Sequence, residues 1–259
     1  MQAYIQDKGS ERARYSLIAL KPFWGALRPD QICPELCRDY IAQRRSAGAG
    51  DGTILREMTD MRSSVRRYAS NAGATFDMPS SPPPKDRHLT RDEYRSLREA
   101  AQSIPHLYLF IELALATGAR SSALLGLTWG QIDFDRNRID LGIGAKGKGR
   151  AIVPMTKTVR RALVAQQPRA ETVFVVEYAG RQVGSVKKAF RSAADRAGLK
   201  GVTPHVLRHT AAVWMAEAGR PMSEIAQYLG HTSEKVTFRV YARYTPEYLA
   251  EAASALEID

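Results

Sequence analysis

Two arginines, two histidines and a late tyrosine stand in this chain with spacings that could converge them on one phosphate. Thr117-Gly118-Ala119-Arg120 comes first, then His205-Val206-Leu207-Arg208-His209-Thr210, then Leu229-Gly230-His231, and then Tyr241. Guanidinium forks bind phosphate oxygens bidentately and stay charged at any ordinary pH. A tyrosine hydroxyl is a nucleophile once it loses its proton, and a histidine brought beside it by the fold can take part in that transfer. Such a set points to transesterification at a phosphodiester. Each part has a plainer reading alone: a lone arginine serves an ion pair, and a lone tyrosine packs at an interface. There are eleven tyrosines, so Tyr241 gains its role only from its neighbours.

Other chemistries fit less well. His205 and His209 are one helical turn apart and could share a metal. No Glu follows His205, however, and Arg208 would put a cation beside the ion. Neither residue is expected to be a metal ligand; His209 reads as structural. The stretch Gly142-Ile143-Gly144-Ala145-Lys146-Gly147-Lys148-Gly149 matches two nucleotide-binding patterns in outline. A dinucleotide fingerprint must open a helix, and here strand-forming Ala151-Ile152-Val153 follows. A P-loop needs Ser or Thr where Gly149 stands. What remains is a hairpin tip carrying Lys146, Lys148 and Arg150. No cofactor is expected.

The elements that must carry these residues are mostly helices. Arg12 to Leu20 has helical apolar spacing, Pro34 suits a first helical turn, and a longer pattern runs from Thr53 to about Asn71. Residues 1–78 therefore read as a small helical bundle. Prolines 82 to 84 cannot hold a helix, so 79–86 reads as a linker. In 87–259, Thr90-Arg91-Asp92-Glu93 is a capping box, and an apolar helix spans about Leu107 to Ala116. Arg138 to Ile143 and Ala151 to Val153 form a hairpin, and Val173 to Val176 is a short strand or extended run. From Ser185 helices dominate: 185–197, 204–218, 223–229, 233–241 and 246–256. The fold class is mainly α, of the α+β kind, with one small antiparallel sheet.

The whole chain is basic. Its 259 residues carry a net charge of +11, with a pI near 9.8. A chain this basic usually has a polyanionic partner, most often nucleic acid. No apolar run is long enough to span a bilayer, and the N-terminus lacks the pattern of a secretory signal. Cys33 and Cys37 lack a second pair to complete a zinc site and read as reduced thiols. A cytoplasmic, nucleoid-associated protein is expected.

Taken in order, these motifs resemble those of the tyrosine recombinase, or phage integrase, family. Thr117-Gly118-Ala119-Arg120 with Leu124-Leu125-Gly126-Leu127-Thr128-Trp129 looks like its first-arginine motif. Lys146, with Pro154 closing the hairpin, looks like its catalytic lysine. His205 and Arg208 look like its H-x-x-R pair, Leu229-Gly230-His231 like its second-histidine motif and Tyr241 like its nucleophile. Residues 1–78 resemble the family's SAM-like core-binding bundle, and 87–259 its catalytic domain.

The resemblance implies metal- and ATP-free cutting and rejoining of double-stranded DNA through a 3′-phosphotyrosyl link. Arg120, Arg208 and His231 would hold the phosphate, His205 would move the tyrosine's proton, and Lys146 would protonate the leaving 5′-oxygen. It also implies a tetramer on DNA, with accessory DNA-bending proteins as further partners. Two departures stand out. The family usually has an acid three residues after the first arginine, where this chain has Ala123. Tyr241 lies one residue further from His231 than in many members, which keeps Tyr244 as the second choice. Two alternatives are a type IB topoisomerase and a non-catalytic DNA-binding protein on the same scaffold.

Overall fold

The computed structural model describes residues 2–8, 11–83, 86–142, 151–231, 233–246, 248–254 and 256–257. The chain divides into two compact units, Met1–Lys85 and Asp86–Asp259.

The first unit is built from four helices: α1 (Gln2–Lys8), α2 (Glu11–Trp24), α3 (Pro34–Ser46) and α4 (Asp51–Tyr68). Pro34 occupies the first turn of α3, where its missing N–H costs nothing. The apolar stripes of α2, α3 and α4 meet in a core of Leu20, Trp24, Tyr40, Ile41, Ile54, Met58 and Met61. Glu57 is the acid inside it, and it is paired. The Tyr40 hydroxyl donates to Glu57 at 2.8 Å, and the Arg44 guanidinium grips the same carboxylate at 2.8 and 3.0 Å. Cys33 and Cys37 are free thiols, and burial raises the Cys37 thiol's pKa.

The second unit opens with α5 (Arg91–Ala101), whose capping box forms as its sequence requires: the Glu93 amide donates to the Thr90 hydroxyl at 3.1 Å, and the Thr90 amide to the Glu93 carboxylate at 2.9 Å. Then comes α6 (Pro105–Thr117), apolar on nearly every face and therefore the central helix of the unit. A short α7 (Ser121–Leu125) follows. Strands β1 (Ile132–Asp133), β2 (Arg138–Asp140) and β3 (Ile152–Pro154) form an antiparallel sheet in chain order, with Ile139 opposite Val153. The hairpin tip, including Lys146, lies outside the described residues.

Helix α8 (Lys157–Gln166) was not anticipated from the sequence. Its signal is Thr156, whose side chain caps the Val159 amide. Val173 to Val176 forms no regular strand. It runs extended beside Leu127–Trp129, with Trp129 donating to Val173 and Val175 to Leu127, both at 2.9 Å. Strands β4 (Glu177–Tyr178) and β5 (Arg181–Gln182) form a small hairpin.

Helices α9 (Lys187–Arg196), α10 (Pro204–Glu217), α11 (Met222–Leu229) and α12 (Glu234–Tyr241) complete the unit. The expected last helix is shorter than its pattern. A single 3-10 turn, Ala242–Tyr244, follows α12, Leu249 takes a left-handed φ of 59°, and α13 covers only Ala250–Ser254. Part of α10, α11 and α12 share a core of Ala212, Val213, Ala216, Ile225, Leu229 and Tyr241. Tyr241 is thus embedded in the packing of the helices that carry the other motifs.

Candidate active site

Arg208 is the centre of the site. It lies on α10, 5% exposed, yet no carboxylate pairs with it among the described residues. Its guanidinium donates to the Gly118 carbonyl at 2.6 Å and to the Leu229 carbonyl at 3.0 Å. Those two carbonyls stand at the C-terminal ends of α6 and α11. Each helix ends on a left-handed glycine, Gly118 with φ 58° and Gly230 with φ 63°. Helix C-termini carry partial negative charge, so the buried cation rests on two oriented dipoles instead of an acid. Two of its five donors are spent on this frame.

The same bonds draw the other motifs inward. Past Gly118 the chain turns to Arg120, which precedes α7 and is exposed. Past Gly230 comes His231. Its Nδ1 and the Thr237 hydroxyl are hydrogen-bonded at 2.7 Å. Thr237 is fully buried on α12, one turn before Tyr241. It is a supporting residue that motif reading missed, although its spacing from Tyr241 is the available clue. His205 lies in the first turn of α10, one turn before Arg208, and is exposed.

Electrostatics mark this cluster as a place for an anion. Burial, then Arg208, then Arg120 hold the His231 imidazole down to about 4. The same three causes depress His205. Burial and Arg120 lower Arg208 itself to about 10, leaving it charged at neutral pH. No carboxylate among the described residues forms an ion pair with any of the four. Ala123 is 3% exposed in the apolar core, so the position where an acid was expected supplies no charge. Mutual repulsion among basic groups is the cost of an empty site, and a bound phosphate would relieve it.

Tyr241 is 7% exposed. Burial raises its phenol's pKa, and Arg208 acts in the opposite direction. Its hydroxyl lies 3.4 Å from Nδ1 of His209, with the rings tilted and 5.3 Å apart. No such contact joins it to His205, the residue first expected to move its proton. Tyr244 is committed elsewhere: its hydroxyl donates to Asp86 and accepts from Arg243 at 3.2 Å.

Among the described residues, one group has metal-ligand spacing: Asp86, His88 and His209, whose ligand atoms lie within 4.8 Å of one another. It joins His209 to Asp86 and His88 rather than to His205. Arg243 approaches the Asp86 carboxylate at 2.5 Å and already supplies it with a cation.

The fold is that of integrases. The structure of the Tn1549 transposon integrase in complex with transposon right end DNA matches with a TM-score of 0.77, at 19% identity, over 97% of this chain and 96% of that one. A lambda integrase tetramer bound to a Holliday junction matches with a TM-score of 0.77, at 17% identity, over 100% of this chain and 78% of that one. In sequence, tyrosine recombinase XerA of Thermococcus onnurineus is 30% identical over 223 residues, covering 82% of this chain and 78% of the relative. Tyrosine recombinase XerC of Corynebacterium glutamicum is 29% identical over 153 residues, or 55% of this chain; the match spans about half of that relative, 48%. The phage integrase family model matches residues 87–247, and the chain belongs to that family.

Proposed function

We propose that the chain is a site-specific DNA recombinase that cuts and rejoins strands through a 3′-phosphotyrosyl intermediate. The observation that carries this most is buried Arg208, charged, without an acid, and flanked by Arg120, His205 and His231. A site of that kind is built for an anion that arrives with the substrate. Tyr241 is the nucleophile. Its oxygen bonds to phosphorus as the bond to the 5′-oxygen breaks, and Lys146 gives that oxygen its proton. Arg120 and Arg208 neutralise the non-bridging oxygens in the pentacoordinate transition state, and His205 and His231 donate N–H groups to the same phosphate.

The phosphotyrosyl bond keeps the energy of the phosphodiester. A second 5′-hydroxyl can therefore attack it and restore the strand without ATP. Basic residues exceed acidic ones in both units, which suits each of them to gripping duplex DNA. Exchange between two duplexes calls for four protomers, the number in the lambda integrase assembly on its junction. No described helix is long and apolar enough to cross a membrane, and a cytoplasmic protein acting at the nucleoid fits this chemistry.

The test is covalent capture. Random-sequence duplexes carrying a nick beside the variable segment are incubated with the protein in EDTA without nucleotide. Covalent adducts are recovered and their DNA sequenced. The expected result is one enriched site and an adduct that Tyr241→Phe abolishes while binding survives. An adduct that persists in Tyr241→Phe contradicts the nucleophile. No adduct from the unaltered protein contradicts the reaction.

A further inference from the structure

The geometry points to His209 as the catalytic base for Tyr241, with Asp86 as its positioning residue, so that Tyr241, His209 and Asp86 form a proton relay. This rests on the reading of Tyr241 as nucleophile and adds a residue that the H-x-x-R pattern does not contain. A phenol with a pKa near 10 is a poor nucleophile at neutral pH unless a neighbour takes its proton. His209 is the one imidazole in contact with the Tyr241 hydroxyl among the described residues, with Nδ1 at 3.4 Å.

The other ring nitrogen, Nε2, is buried and makes no hydrogen bond. It lies 3.5 Å from the nearer oxygen of Asp86. A buried polar atom left unpaired carries a desolvation cost, and one retained in a folded site calls for a reason. Both distances are slightly long, as catalytic hydrogen bonds often are before substrate tightens them.

The surroundings hold this arrangement in place. The Thr210 hydroxyl accepts from the Leu89 amide at 2.9 Å, and the Trp214 indole donates to the Leu89 carbonyl at 3.1 Å. Helix α10 therefore fixes the segment that carries Asp86 and His88 against itself. The groups facing His209 are Tyr241, Tyr244, His88 and Asp86, with His205 contributing a weaker electrostatic effect. Burial, the largest influence, depresses the His209 pKa despite Asp86, so the ring is neutral and able to accept a proton at neutral pH. The Tyr244 hydroxyl, Arg243 and His209 all favour the ionised form of Asp86.

The proton balance closes. As the Tyr241 oxygen bonds to phosphorus, its proton passes to Nδ1 of His209, and the imidazolium is stabilised by Asp86. The bond to the 5′-oxygen breaks, and that oxygen receives a proton from the general acid. On rejoining, the incoming 5′-hydroxyl gives its proton back to the now deprotonated general acid as its oxygen bonds to phosphorus, the bond to Tyr241 breaks, and His209 returns the proton to the phenolate. His205, exposed and without a hydrogen bond to the phenol among the described residues, is left to the phosphate.

The experiment compares single-turnover adduct formation on the captured nicked duplex for the unaltered protein, His209→Gln and Asp86→Asn. His209→Gln is expected to cleave about 10²- to 10⁴-fold more slowly with duplex binding unchanged. Its rate should keep climbing with pH up to 9, where the unaltered protein is already flat. Added imidazole should partly restore His209→Gly. Asp86→Asn should shift the acidic limb of the profile to lower pH, a change that loss of packing alone does not produce.

A His209→Gln protein with the original rate and profile overturns the relay. If Tyr241→Phe loses the adduct in the same assay, the nucleophile survives that result. A second readout needs neither a variant nor activity. In the ¹⁵N spectrum of free protein at pH 7, His209 should be the neutral tautomer protonated at Nε2. Protonation at Nδ1 overturns the relay even if no adduct is ever formed.

Discussion

At the scale of single residues, the site is organised by what Arg208 lacks. A guanidinium this buried is ordinarily paired with an acid, and here its partners are two carbonyls and its neighbours are basic. Arg120→Gln removes the exposed member of the arginine pair. It should slow adduct formation by roughly 10²- to 10³-fold, the scale seen when one preorganised donor to a developing charge is lost. The same change should raise the His231 pKa, since Arg120 helps depress it; a histidine NMR titration reads this directly.

The site also predicts a pH dependence of binding. In the free protein His231 stays neutral until pH falls to about 4. A phosphodiester between the arginines offsets their repulsion and draws that pKa back up. DNA should therefore bind with proton uptake, and more tightly as pH falls from 7 toward 5. Calorimetry in buffers of different ionisation enthalpy measures the uptake, and its absence would remove His231 from the phosphate. Without DNA the shift acts against the fold. A folded pKa below the unfolded value of about 6.5 leaves stability untouched above that pH and erodes it as pH falls from there toward 4.

At the scale of elements, two helix ends do the positioning. Gly118 shows how little room they leave. Its φ is +58°, and a Cβ there would lie 2.6 Å from Cδ2 of Leu229, the residue whose carbonyl also holds Arg208. Gly118→Ala should destabilise the catalytic unit by about 1–3 kcal/mol through backbone strain, read as a lowered urea midpoint. It should also reduce cleavage beyond what that loss explains, because the Arg208 frame moves with it.

The helices that end there were legible in the sequence to within a residue or so, about Ala116 for α6 and 229 for α11, as were the Pro34 start and the Thr90 capping box. Local signals also placed Arg120, His205, Arg208, His231 and Tyr241 in order. Other features depend on packing between distant segments. His209 was read as structural because spacing relates it only to His205. Its partners, Tyr241 and Asp86, are 32 residues after it and more than a hundred before it. Thr237 and α8 were open to local reading, Thr237 by its spacing from Tyr241 and α8 by its Thr156 cap with Val159 and Leu163 one turn apart.

At the scale of the whole molecule, charge is the dominant property. A net +11 spread over both units should give steep salt dependence, since each phosphate neutralised releases condensed counterions. If six to ten phosphates are contacted, affinity should fall roughly 10³- to 10⁵-fold between 50 and 200 mM salt. Fluorescence anisotropy with a labelled duplex measures the slope, and a flat response would contradict an interface built on phosphate contacts.

The central claim is that Tyr241 becomes covalently joined to DNA, and the sequence offers a direct way to see it. Arg239 and Arg243 place Tyr241 in the tryptic peptide Val240–Arg243, whereas Tyr244 begins the following one. Captured adducts digested with nuclease and trypsin can be mapped by tandem mass spectrometry. The peptide Val240–Arg243 should carry the mass of a 3′-linked nucleotide on Tyr241. The same mass on Tyr244, or on neither peptide, would contradict the account.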